Sequence, residues 1–146
     1  MKVCPEVLLE LSEKLLTHVE QNKNLEEAYL RASASRAYYA AFHKSTELAA
    51  YCPVPEKWSG GMHSQLICQL SEAPYVSFPS KKIAKDIRRV GMWLNQIRDA
   101  RTNADYKLDD RFTRDQVESI HIQVRKILRD SNIIKTELIG RDAVAV

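Results

Sequence analysis

The chain has 146 residues, 45% apolar and 28% charged, with a formal net charge of +3. That is one domain's worth of chain, long enough for a real hydrophobic core, with an ordinary soluble-globular composition. It has no apolar run of membrane-spanning length, and so modest a net charge does not by itself indicate nucleic acid. The opening residues Met1 to Glu6 lead straight into an amphipathic pattern without a signal-peptide layout. Cys4, Cys52 and Cys68 have no metal-ligand spacing and read as free thiols in a reducing cytosol. The expected setting is therefore cytoplasmic, with no membrane partner.

Pro5–Glu20 reads as the first helix, with Val7, Leu8, Leu11, Leu15 and Val19 as its apolar face. After a polar break at residues 21–23, Asn24 followed by Glu27 approximates a capping box. The second helix then runs to about Ala50 with two buried-type faces. Leu30, Ala34, Ala37, Ala41 and Leu48 line one; Ala28, Ala32, Ser35, Tyr39, Phe42, Thr46 and Ala49 line the other. A helix apolar on two sides packs between neighbours, and its small residues allow close approach. Tyr51–Gly61, with two prolines, Trp58, Ser59 and a Gly pair, is a loop. A short helix over Met62–Ser71 turns Met62, Leu66, Ile67 and Leu70 inward, and a second loop covers Pro74–Pro79.

Ser80 caps the next helix, Lys81–Tyr106, on which Ile83, Ile87, Val90, Leu94 and Ile97 fall within roughly 80° of one another. The same arc continues into Arg101 and Asp105, bordered by Arg98. A core-facing stripe that turns charged must pair those charges or open them onto a cleft. The last helix starts at a Thr113–Gln116 capping box, carries Val117, Ile120, Val124, Ile127 and Leu128, and ends near Asn132. Residues 135–146 show no periodicity. The expectation is an all-α, up-and-down bundle of four long helices and one short one over residues 1–134, followed by a C-terminal tail that is loose or pairs with a partner.

Three groups of residues stand out. Between Lys81 and Arg101 seven basic residues face two acidic ones, and Lys81, Lys82, Lys85, Arg88 and Arg89 share one arc opposite the isoleucines. This arc, with Arg98, is either a solvated helix face or a stripe that tracks nucleic-acid phosphates. Arg101 and Asp105, spaced i,i+4, form either a pair that fixes packing or a guanidinium oriented for phosphate, with Tyr106 nearby. Arg36, Tyr39 and His43 form the third group. There His43 is either a structural residue or a general acid or base, with Arg36 stabilising phosphate charge. His63, alone after Gly60-Gly61-Met62, reads as a solvated or capping residue. A zinc site from His43, His63 and a cysteine lacks the usual close ligand pairs, and no phosphate loop, nucleophile elbow or paired carboxylate spacing is present. No metal or other cofactor is therefore expected.

Ser35-Arg36-Ala37-Tyr38-Tyr39-Ala40-Ala41-Phe42-His43, with Arg101-Thr102-Asn103-Ala104-Asp105-Tyr106 about sixty residues later, resembles the HEPN superfamily. The likeness is to small prokaryotic members with S-R-x-Y-Y-A and R-x-x-A-D-Y motifs, and Gly61-Met62-His63-Ser64 adds to it. It spans roughly Leu25 to Leu128. The resemblance implies an all-α homodimer, and for many members a metal-independent endoribonuclease acting as a toxin or antiviral effector. Their active-site Arg is followed four to six residues later by a His. Here Arg101 matches the Arg, Thr102 holds the place of the usual polar residue, and Tyr106 stands where the His would be. A tyrosine, with a free pKa of about 10, is a poor base at neutral pH. Other members lack the His and pair with a small nucleotidyltransferase, or bind nucleotides or protein partners.

Two functions are thus expected from the resemblance. One is an RNA- or nucleotide-directed effector of a toxin–antitoxin or phage-defence module. In it Arg101 would stabilise the phosphorane, Asp105 would hold Arg101, His43 or Tyr106 would carry protons and the basic arc would guide the backbone. The other is a non-catalytic module that partners a nucleotidyltransferase or an antitoxin.

Overall fold

The structure, a computed structural model, describes residues 3–19, 25–55 and 60–144. Among them are five α-helices and no strand: α1 (Pro5–Thr17), α2 (Glu26–Ala49), α3 (Met62–Ser71), α4 (Lys81–Tyr106) and α5 (Arg114–Val144). A short 3-10 turn, Tyr75–Ser77, sits in the loop before α4. The chain is an all-α bundle.

The centre is α2, which packs against all four other helices. Ser33, Ala34, Ala37, Ala40, Ala41 and Ser45 are buried along it, and side chains this small let neighbouring backbones come close. The α4 stripe Ile83–Ile97 is fully buried, as its period predicts, and Ser80 Oγ accepts the Ile83 N–H at 3.3 Å. The Thr113–Gln116 box closes in both directions. Gln116 Oε1 accepts the Thr113 N–H at 2.7 Å, and Thr113 Oγ1 accepts the Gln116 N–H at 3.3 Å.

Ala28, Ala32 and Thr46, placed on the second buried-type face of α2 by the sequence, are exposed, and four further expectations change. First, α1 is rotated from its predicted face: Val7 and Leu11 are exposed while Pro5 and Ser12 are buried. A buried polar seam decides that rotation. Ser12 Oγ donates to Ser33 O at 2.6 Å, Ser33 Oγ donates to Ser12 O at 2.7 Å, and His121 Nε2 of α5 lies 2.7 Å from Ser12 Oγ. Both hydroxyl hydrogens are used on carbonyls, so His121 donates from Nε2–H. Buried polar groups seek partners more strongly than two methyl-bearing side chains seek cover. Second, α1 stops at Thr17 rather than at Glu20. Third, Met62 is exposed; only Leu66, Ile67 and Leu70 of α3 turn inward. Fourth, the tail expected from residue 135 is helical through Val144. Ile134 and Leu138 extend the buried stripe of α5, and Lys135 Nζ meets Glu47 Oε2 of α2 at 3.2 Å. Asn24, the 21–23 break, Trp58 and Ser59 lie outside the described residues.

Glu27 does more than start a helix. Its Oε1 accepts the Phe112 N–H at 2.6 Å and Arg31 Nη2 at 3.1 Å, and these two bonds hold its carboxyl below the usual carboxylate range. Arg31, itself buried, donates to Asn103 O at 3.1 Å, to Ala104 O at 2.9 Å and to Asp110 O. It thereby closes the C-terminus of α4, whose last carbonyls have no partner within the helix.

Gly91 sets the approach of α3 to α4. A Cβ there would meet Ser71 N at 2.6 Å and Leu70 Cβ at 3.0 Å. Gly91→Ala is expected to lower stability by about 1–3 kcal/mol, read as an earlier urea midpoint, because backbone must move to admit the methyl.

Burial holds the His121 pKa below its ordinary value, and Arg125 pushes the same way. Above an unfolded pKa of about 6.5 this costs nothing. Below it the unfolded chain takes up a proton that the folded chain refuses, so stability falls as pH drops. His121→Gln keeps a donor and removes the titration. Thermal melts at pH 7.5 and 5.5 should show a smaller loss for that variant than for the parent.

Candidate functional site

Arg101 is only 8% exposed. Its Nη1 donates to Asp105 Oδ2 at 3.1 Å, and Ser35 Oγ of α2 donates to the same oxygen at 3.3 Å. The guanidinium carbon lies 4.9 Å from the ring centre of Tyr38, 5.7 Å from that of Tyr39 and 5.9 Å from that of Tyr106. Burial, the largest single influence, works against this charge, but the Asp105 hydrogen bond and the Tyr39, Asp105 and Tyr38 electrostatics together outweigh it and leave the Arg101 pKa above its ordinary value. The π faces add to the stabilisation. Among the described residues Arg101 Nε is buried without a hydrogen-bond partner. A cation held in place with an unmet N–H is a site able to receive an acceptor.

The Arg36–His43 group is part of the same surface. Tyr39 joins the two, because the Arg36 guanidinium lies 5.3 Å from its ring centre on one count and that of Arg101 lies 5.7 Å away on the other. The His43 ring sits 5.5 Å from Phe42 and 6.4 Å from Tyr39. Arg36, His43 and Tyr106 are exposed, so the buried guanidinium has a rim of exposed aromatic and basic side chains.

His63 is the residue that the sequence undervalued. It lies in the first turn of α3, with Nδ1 2.6 Å from the Tyr38 hydroxyl and its ring 4.4 Å from that of Phe42. Burial, then the charges of Arg101 and Arg98, hold its pKa below the ordinary value. Tyr38 is fully buried, and burial pushes its phenol up to about 12. Arg98 Nη1 donates to Ser64 Oγ at 3.1 Å and so fastens the start of α3 to α4. Nothing local to residues 60–64 foretells this contact. The adjacent Tyr38 and Tyr39 were the one signal, since one of two such neighbours on a buried helix must find a polar partner.

Comparison with models of protein families, with curated proteins and with solved structures gave no match.

The basic arc does not join this surface. Lys85 lies about 24 Å along α4 from Arg101 and roughly 160° around it, at 1.5 Å and 100° per residue. Lys82 pairs with Asp86 at 2.9 Å, and Arg89 approaches the same carboxylate at 3.6 Å. Arg88 Nε donates to Ala73 O at 2.8 Å and its guanidinium covers the Tyr75 ring at 4.2 Å, so it anchors the loop before α4. Lys81 and Lys85 are exposed, and Lys82, Lys85 and Arg89 border a groove of about 550 Å³ against Asp130, Ile133 and Ile134 of α5. Of the six expected phosphate-guiding residues, Arg98 alone stands at the Arg101 site.

The cysteines Cys4, Cys52 and Cys68 are free. Among the described residues no group of three or more His, Cys, Asp or Glu side chains is arranged to hold a metal ion, and no helix is long and apolar enough to cross a membrane.

Proposed function

We propose that this protein is a HEPN-like effector that binds RNA through the Arg101 surface and cleaves it without a metal. The observation that carries the reading is the buried Arg101 guanidinium, oriented by Asp105 and caged by Tyr38, Tyr39 and Tyr106, with its Nε unmet among the described residues. A guanidinium beside the half-buried Tyr39 and the exposed Tyr106 suits a phosphodiester flanked by stackable bases. In the reaction the RNA 2′-oxygen attacks the adjacent phosphorus and the 5′-oxygen of the next nucleotide leaves. Arg101 stabilises the phosphorane charge. His43, on the exposed rim, takes the proton of the attacking hydroxyl, and the exposed Tyr106 hydroxyl gives one to the leaving 5′-oxygen. The biological setting that fits is a cytoplasmic toxin–antitoxin or phage-defence module. Pairing of two copies through α2 and α4 belongs to this reading; the mostly exposed Tyr106 and Leu108 beside the site are apolar surface that such pairing would cover.

The test is incubation of purified protein with labelled total RNA in EDTA, beside Arg101→Ala. Cleavage by the parent alone supports the reading. A second reading is favoured by one observation: Arg101 is already bonded to Asp105 and almost wholly covered, as in a binding module. That module would partner a nucleotidyltransferase or an antitoxin. RNA or nucleotide binding at low salt without cleavage, or a small nucleotidyltransferase in the neighbouring reading frame, selects it.

A further inference from the structure

Helix α4 has no histidine after Arg101, and an imidazole reaches the cage from a different helix. His63 touches the cage from α3: its ring packs on Phe42 and on Tyr38, and Tyr38 is the ring closest to the Arg101 guanidinium. The hydrogen bond between them has a determined sense. Tyr38 is fully buried, and its hydroxyl has no acceptor besides His63 Nδ1 among the described residues. A buried hydroxyl left without an acceptor is costly, so Tyr38 O–H donates and Nδ1 accepts. The one hydrogen of the neutral ring is then on Nε2, for which the protein offers no partner among the described residues. His63 also stands in the first turn of α3, whose N-cap Gly61 provides no side-chain acceptor for the first N–H groups. The partial positive charge of that helix end adds to Arg98 and Arg101.

We propose that His63 forms an anion site with Arg98 and Arg101, as a neutral imidazole locked by Tyr38 so that its Nε2–H donates to an oxygen of the bound RNA phosphate. This deepens the RNA reading above and rests on it. It gives His63 a binding role that needs no proton transfer: with Nδ1 occupied by Tyr38 and Nε2 already protonated, the ring has no free lone pair to act as a base. Tyr38 is then a positioning residue, acting through His63.

Two measurements test the assignment. Long-range proton–nitrogen correlation spectra of the parent, labelled at histidine, are expected to show His63 with Nδ1 unprotonated and Nε2 carrying hydrogen; Tyr38→Phe should release that preference. A ring protonated at Nδ1 in the parent overturns the assignment whatever binding shows. The second measurement is binding of a labelled oligouridylate in EDTA at low salt. His63→Ala is expected to weaken it by about tenfold or more, and His63→Gln, which restores an N–H donor, to recover most of the loss. If Arg101→Ala loses binding while folded His63→Ala and His63→Gln bind as the parent does, the His63 role falls and the RNA reading stands. If the parent binds no oligouridylate, both fall.

Discussion

Arg101→Ala is expected to reduce RNA cleavage in EDTA by about 10²–10³-fold while leaving the far-ultraviolet circular dichroism of the parent unchanged. The magnitude is that of removing one fixed donor from the oxygen on which charge develops. The fold survives because the substitution also removes the buried charge. Asp105, which is left behind, is partly exposed and keeps the Ser35 hydroxyl as a partner. Asp105→Ala should behave differently. It strands the guanidinium in its cage, and breaking a buried pair from one side costs more than deleting the cation. An Arg101→Ala protein with parental cleavage would remove Arg101 from the chemistry and the endoribonuclease reading with it. Loss of both cleavage and binding assigns Arg101 to holding the phosphate as well as to stabilising its transition state.

Arg31→Ala should destabilise the fold by about 2–3 kcal/mol, at the upper end of the stability effects expected above. The guanidinium bonds three main-chain carbonyls, of Asn103, Ala104 and Asp110, and also Glu27, and it lies 5.4 Å from the Phe112 ring centre. Truncation leaves the buried Ala104 carbonyl without its side-chain donor, takes one of two donors from Asn103 O, which keeps the Lys107 N–H, and frees Glu27 from one of the two bonds that keep it ionised. Arg31→Lys should recover less than half of the loss, since an ammonium cannot reproduce a planar fork reaching carbonyls from two nitrogens. Urea unfolding followed by circular dichroism measures both; a midpoint shift at constant slope is the expected form. The consequence reaches the candidate site, because the turn that Arg31 closes carries Asp105 and Tyr106. Parental stability in Arg31→Ala would show that the end of α4 is held by other contacts.

Helix periods were legible because burial of a stripe is a local property of spacing. The α4 isoleucines, the α5 stripe and the Ser80 and Thr113 caps each depend on residues within one or two turns. The charged continuation of the α4 stripe at Arg101 and Asp105 was legible for the same reason, as a place where pattern and chemistry disagree. The rotation of α1 was not. Val7 and Leu11 suit an inner face as well as Leu8 does, and the decision falls to the bonds from Ser12 to Ser33 and His121, residues 21 and 109 positions away. Nor was the end of α5: Ile134 and Leu138 extend a stripe only once a neighbour is there to cover them, and Lys135 finds Glu47 only across the bundle.

The sequence by itself determined that this chain is helical, where most helices begin, and that Arg101 would stand as a charge on a buried arc. Only the tertiary structure decided what surrounds that charge. It joined the Arg36–His43 group to Arg101 through Tyr39, brought His63 in from α3 through Tyr38, and left Lys81–Arg89 on another face. The physical reason is range. Helical periodicity and capping act over a few residues, whereas a buried polar group takes whichever partner the packed helices bring within about 3 Å, however far apart the two lie in the chain.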